Sequence, residues 1–100
     1  MKSVKFINGK VELSDDKGSL IKIIGNGDIV GACINQDGSL ILIIESSGRV
    51  ELLNEHGTFI RTIGNGDVKS GEFYGNNILV ITNHEITELR DEDDSIRWIL

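Results

Sequence analysis

The sequence predicts an all-β protein built from antiparallel, four-stranded, blade-like units. Three observations carry this. Ile, Leu and Val dominate the apolar residues while aromatics are only 5%, a β-branched mixture that suits strands. Proline is absent and there are 12 glycines, so Gly, Asn and Asp must make the turns. Finally, the peptide "IKIIGNGD" ending at Asp28 returns as "IRTIGNGD" ending at Asp67, and repetition at a period near 40 residues marks a repeat architecture.

The first element is "VKFINGKVEL" (residues 4–13), two strands around Asn8-Gly9, a strong short-range hairpin signal. "LIKII" follows it into the first GNGD. "IVGACI" (29–34) precedes an Asp37-Gly38 turn; "LILII" (40–44) and "RVELL" (49–53) flank Ser-Ser-Gly; "TFIRTI" (58–63) closes on the second GNGD. Residues 8–28 and 47–67 are identical at 11 of 21 positions. A weaker third copy aligns at a spacing of 36, with Ile86, Leu89, Ile96, Arg97 and Ile99 standing for Val50, Leu53, Ile60, Arg61 and Ile63. That spacing implies a shortened second hairpin turn, "TNHE" for "ESSGR", with "VKSGEF" a poor opening strand. The chain is thus expected to be one domain, 1–100, of units 1–28, 29–67 and 68–100, the first lacking its innermost strand.

The stretch "DGSLILIIESSGRVELLNEHGTFIRTIGNGD" (37–67), with "GEF" (71–73) after the loop, resembles the NHL class of β-propeller repeats. That resemblance implies propeller blades in which GNGD links the outermost strand of one blade to the innermost of the next. Closed propellers use roughly 4–8 blades. Fewer than three are on offer, so the expectation is completion by homo-oligomerisation, a dimer near six blades being simplest. A single-chain β-sandwich or barrel of stacked hairpins is the alternative.

Composition narrows function. The net charge of −6 argues against nucleic acid and anionic membranes as partners. The lone Cys33 in an apolar run reads as a buried thiol, with Trp98 beside Ile96 and Leu100 as packing or a subunit interface. No apolar leader or ~20-residue span is visible, so the expected location is cytoplasmic. No catalytic constellation is present: His56 and His84 are not equivalent in the copies, and GNG lacks the helix that a phosphate loop requires. The chain is expected not to be an enzyme and to need no cofactor.

Candidate binding residues therefore sit on loops. One rim should carry Asn26, Asp28, Asn65 and Asp67 of the GNGD loops beside Ser46, Ser47 and His84 of the middle hairpin turns. These could meet a protein or a small polar ligand through carboxylates, hydroxyls and free glycine amides. Asp91, Asp93 and Asp94 are weak candidates for a metal, since hard cations take several oxygens, and are expected on the opposite rim. Lys22, Arg61 and Arg97 recur and are expected to pair with Glu12 and Glu51 across strands. The expected role is non-catalytic binding through loop rims; the alternative is a small acidic inhibitor or immunity-type protein facing a basic partner.

Overall fold

The computed structural model describes residues 2–100, and among them the chain forms eleven strands in three antiparallel sheets. The first sheet holds β1 (Ser3–Ile7), β2 (Lys10–Ser14) and β3 (Leu20–Ile24). The second runs in order through β4 (Ile29–Ile34), β5 (Leu40–Glu45), β6 (Val50–Asn54) and β7 (Phe59–Ile63). The third repeats that order with β8 (Val68–Tyr74), β9 (Asn77–Thr82), β10 (Thr87–Arg90) and β11 (Ile96–Ile99). Each sheet is a separate meander, unlike the continuous sheet of a barrel. No helix among the described residues is long and apolar enough to cross a membrane.

The sheets stack through alternate residues of their strands, since successive side chains point to opposite faces. Val11 and Leu13 of the first sheet close on Ile29, Ile41, Ile43 and Leu53 of the second. The opposite face of that second sheet, Leu42, Ile44, Val50, Leu52 and Ile63, closes on Val68, Ile78 and Val80 of the third. The middle sheet is therefore buried on both faces. This explains why "LILII" is uniformly apolar rather than alternating. Cys33 packs against this second core, and burial pushes its thiol pKa up.

"VKSGEF" is not a weak strand, because β8 pairs with β9 from Val68 to Tyr74. The third copy also differs from its expected register. The turn bond from the Glu45 amide to the Arg49 carbonyl recurs from Thr82 to Ile86, and that from Asn54 to Thr58 recurs from Asp91 to Ser95. The structural spacing is thus 37 and the second hairpin is not shortened. The deletion lies in the first hairpin, where the five residues 35–39 become the two residues 75–76. A shift of one residue moves every strand side chain to the other face. Arg61, opposite Leu52, therefore corresponds to Trp98, opposite Leu89, and not to Arg97.

The recurring bases do not pair with Glu12 and Glu51. Lys22 stands opposite Leu13 while Glu12 stands opposite Ile23, so Lys22 and Glu12 lie on different faces. Lys22 instead reaches forward to the carbonyl of Gly57 at 3.0 Å, and Arg61 approaches Asp93 at 3.7 Å. Both are contacts from one sheet to a turn of the next. Glu51 is paired with Arg49 at 3.0 Å.

Candidate functional site

The GNGD loops and the middle hairpin turns do share one rim, and they are clamped together there. The Gly9 carbonyl accepts the Ile29 amide, and the Gly48 carbonyl accepts the Val68 amide, both at 3.0 Å. The carbonyls of Asp28 and Asp67 in turn accept the amides of Ser46 and Asn83 at 2.8 Å. Each loop is therefore held by the hairpin behind it and the hairpin ahead of it.

Glycine is required where these turns cross. Gly9 has φ 76° and a Cβ placed on it would stand 2.3 Å from the carbonyl oxygen of Gly27; at Gly48, with φ 96°, the distance to the Gly66 oxygen is 2.5 Å. No side chain fits between backbones that close. The duplicated peptide is thus explained by a duplicated backbone crossing.

The candidate residues fall into two groups. At the first loop the Asp28 carbonyl takes the Ser46 amide, with Ser47 next on the same turn; at the second the Asp67 carbonyl takes the Asn83 amide, with His84 next on that turn. Asp28, Glu45 and Glu51 line an open recess of about 200 Å³ with Asn26, floored by Ile24, Ile29 and Ile43. Glu45 and Asp28 share a hydrogen bond between their carboxyls. Burial first, then that bond and the charges of Glu51 and Asp28, push the Glu45 pKa up against the pull of Arg49. The bond from Glu45 and the Asn26 and Asp28 amides hold Asp28 below the usual carboxylate range. Of the two carboxyls, Glu45 is therefore the one that takes up a proton first as pH falls.

Glu45 Oε1 is buried without a hydrogen-bond partner among the described residues, the Arg49 Nε standing 3.6 Å away. At the second loop the position of Glu45 is taken by Thr82, so the acidic recess is not repeated. Sequence reasoning places Glu45 on this rim but misses it as a site residue. Its signal is a carboxylate ending an apolar strand beside the GNGD loop.

The structure uses the acidic segment differently from expectation. Asp91 Oδ1 accepts the amides of Asp93 and Ser95 at 2.9 and 3.0 Å, which is turn formation. Asp94 lies in the turn equivalent to residues 54–58, yet it does not act within that turn alone. Its carboxylate reaches across to the Gly64 amide at the start of the second GNGD and also takes the Arg90 guanidinium, both at 2.9 Å. No group of three metal-ligating side chains forms among the described residues. A larger hollow of about 420 Å³ on the other rim is lined by Lys2, Asp16, Gln36, Asp37, Gly38 and Glu55. Its charges are partly matched internally, Lys2 to Glu55 at 3.1 Å and Asp37 to the Ser39 hydroxyl at 2.6 Å.

The Asp28–Glu45 pair sets a pH dependence. Glu45, raised above its ordinary 4.5, lends stability below that pH and loses it as pH rises through its higher folded value. Asp28, lowered from 3.8, lends stability above that pH and loses it as pH falls. Glu45→Gln, which mimics the protonated form, is expected to raise the melting temperature at pH 7, the gain shrinking towards pH 4.5. Calorimetry of both proteins across that range checks it.

The solved structure of BamB from Moraxella catarrhalis, a β-propeller, superposes on 97% of this chain with a TM-score of 0.76 and 20% sequence identity. The chain has a β-propeller fold. It spans 31% of the length of that neighbour, so its three sheets correspond to part of a propeller. At this identity the likeness concerns the fold alone. No family model matches the chain, and no curated protein matches it.

Proposed function

We propose that this chain is a non-catalytic binding module of propeller type that engages a protein partner through its acidic rim recess. The observation that carries the reading is the Asp28–Glu45–Glu51 cluster, three carboxyls lining one recess, where partial burial and the neighbouring carboxyls push the Glu45 pKa up. A cation entering there favours the ionised form of Glu45 and meets Oε1, which has no hydrogen-bond partner among the described residues and only the Arg49 Nε at 3.6 Å. A Lys or Arg side chain of a partner supplies that charge, with its stem against Ile24, Ile29 and Ile43. The same acidity disfavours nucleic acid and anionic membranes. The NHL-like pattern of residues 37–67 supports blades of that kind, and self-association through blade surfaces is a second part of the proposal.

An arginine-rich peptide tests the first part by calorimetric titration at two salt concentrations. Binding should weaken as salt rises, and Glu45→Gln and Asp28→Asn should each weaken it about tenfold, the scale of a charge-assisted bond. Equal affinity for both variants and the parent would remove the recess from the mechanism. Free L-arginine binding as tightly as the peptide would reassign the site to a small polar ligand.

A further inference from the structure

The outer face of the third sheet has the composition of a buried surface. Leu79, Ile81, Leu89 and Trp98 share it, because Leu79 and Leu89 pair across strands, as do Leu89 and Trp98; its polar members, Ser70 opposite Ile81 and Glu72 opposite Leu79, lie on the edge strand β8. With the spacing of 37, Leu79, Ile81 and Leu89 stand where Leu42, Ile44 and Leu52 stand in the second sheet, and those three are buried by the third. On the third sheet Leu89 is 6% exposed, Leu79 and Ile81 are only half-buried, and Trp98 and Leu100 are 40% and 81% exposed. The chain thus shows twice over what covers such a face: another blade.

We propose that this face is covered by the same face of a second copy of the chain, in a two-fold dimer centred on Trp98. This rests on the proposed self-association and specifies its surface. Three observations select the arrangement.

A return loop of the GNGD kind, which would bring the next blade covalently, does not fit over the third middle hairpin. Glu85 stands there at the position of Gly48, with φ 65° and a side chain where a crossing carbonyl must pass. A blade arriving from another molecule needs no such crossing.

Head-to-tail stacking is the second possibility, and it mates unlike surfaces. The free face of the first sheet presents Ser3 opposite Ser14 and Lys5 opposite Glu12. In the second and third sheets the corresponding positions on the central strand are Ile41 and Ile43, and Ile78 and Val80, all buried. Covering an apolar sheet with Lys5 and Glu12 desolvates two charges whose mutual attraction does not repay the loss of water, whereas the charge on the third sheet's face, Glu72, lies on its edge strand.

Trp98 is the third observation. Its equivalents, Lys22 and Arg61, contact the polar turn of the following blade. Trp98 replaces that charge with a large apolar ring, which complements an apolar face and not an acidic turn. A surface that matches itself yields a closed two-fold pair.

Sedimentation velocity of the whole chain over a concentration series tests this. The expected result is a monomer–dimer equilibrium in which Trp98→Arg, restoring the base of the other sheets, raises the dissociation constant about 30-fold or more, as for a hot-spot aromatic. Lys5→Glu should leave it unchanged. Trp98 emission of the unmodified protein should shift to shorter wavelength as the dimer forms, a readout that survives if the variant folds poorly. A dimer indifferent to Trp98→Arg but broken by Lys5→Glu would replace this arrangement with head-to-tail stacking and leave self-association standing. A monomer at every concentration would overturn both.

Discussion

Replacing Arg90 with alanine is expected to cost about 3–5 kcal/mol, the usual penalty for leaving a buried charge without its partner. Arg90 is 4% exposed, in the layer between the second and third sheets. Its Nε holds Glu88 at 2.9 Å, and one terminal nitrogen holds the carboxylate of Asp94 at 2.9 Å and its carbonyl at 3.1 Å. Burial alone would lower the guanidinium pKa, but the bonds to Glu88 and Asp94 overcome it and raise the value. Removing the guanidinium strands Glu88 and frees the turn that binds Gly64. For a domain of this size the loss translates to a melting temperature lower by roughly 15 °C or more. The second sheet carries Leu53 at the equivalent position. The double variant Arg90→Leu, Glu88→Leu is therefore expected to recover most of the loss, since an apolar pair can replace a buried ion pair. Thermal melts of the single and double variants check both statements.

Gly48→Ala is expected to cost about 2–4 kcal/mol, beyond what backbone strain alone explains. For a residue with a Cβ, left-handed backbone costs about 1–2 kcal/mol. Here the added atom also meets the Gly66 oxygen at 2.5 Å and its carbonyl carbon at 3.1 Å, both rigid backbone. Relieving the clash means moving the loop, and with it the bonds from Val68 to Gly48 and from Asn83 to Asp67. Gly66→Ala is the control: its φ is 80°, yet a Cβ there meets nothing within 4 Å. It should lose only the strain component. Urea unfolding of both variants separates the two costs. Equal midpoints would show that conformation, and not the crossing of turns, fixes the glycine.

Much of the architecture is legible in the sequence because it depends on local rules. The paired strands around Asn8-Gly9 and around residues 45–49 follow from turn chemistry and apolar runs. The all-β class follows from composition. The third sheet is harder to register because Ile96, Ile99 and Leu100 put apolar residues at both parities of the chain's last segment, so alternation cannot choose between spacings of 36 and 37. The deletion itself lies between Tyr74 and Asn77, in a hairpin with little similarity to residues 35–39. The fate of Lys22 and Arg61 is hidden for a related reason. A sequence shows that Glu12 and Lys22 occupy adjacent strands, but the bulge between Leu13 and Ser14 helps decide which residue faces which. Glu45 falls on the correct rim, yet its significance depends on Asp28, 17 positions away and joined to it only once the loops stack. Long-range electrostatics of that kind is written in the fold rather than in any local pattern.

The central functional claim is that the acidic recess receives a basic group. The most direct measurement is amide chemical-shift mapping of the isotope-labelled chain titrated with the arginine-rich peptide. Shifts should concentrate at residues 25–29, 45–49 and 51, and in Glu45→Gln should need about tenfold more peptide to reach the same size. Shifts centred on residues 91–94, or on the opposite hollow around Asp37 and Glu55, would contradict the claim and move the binding surface away from the GNGD rim.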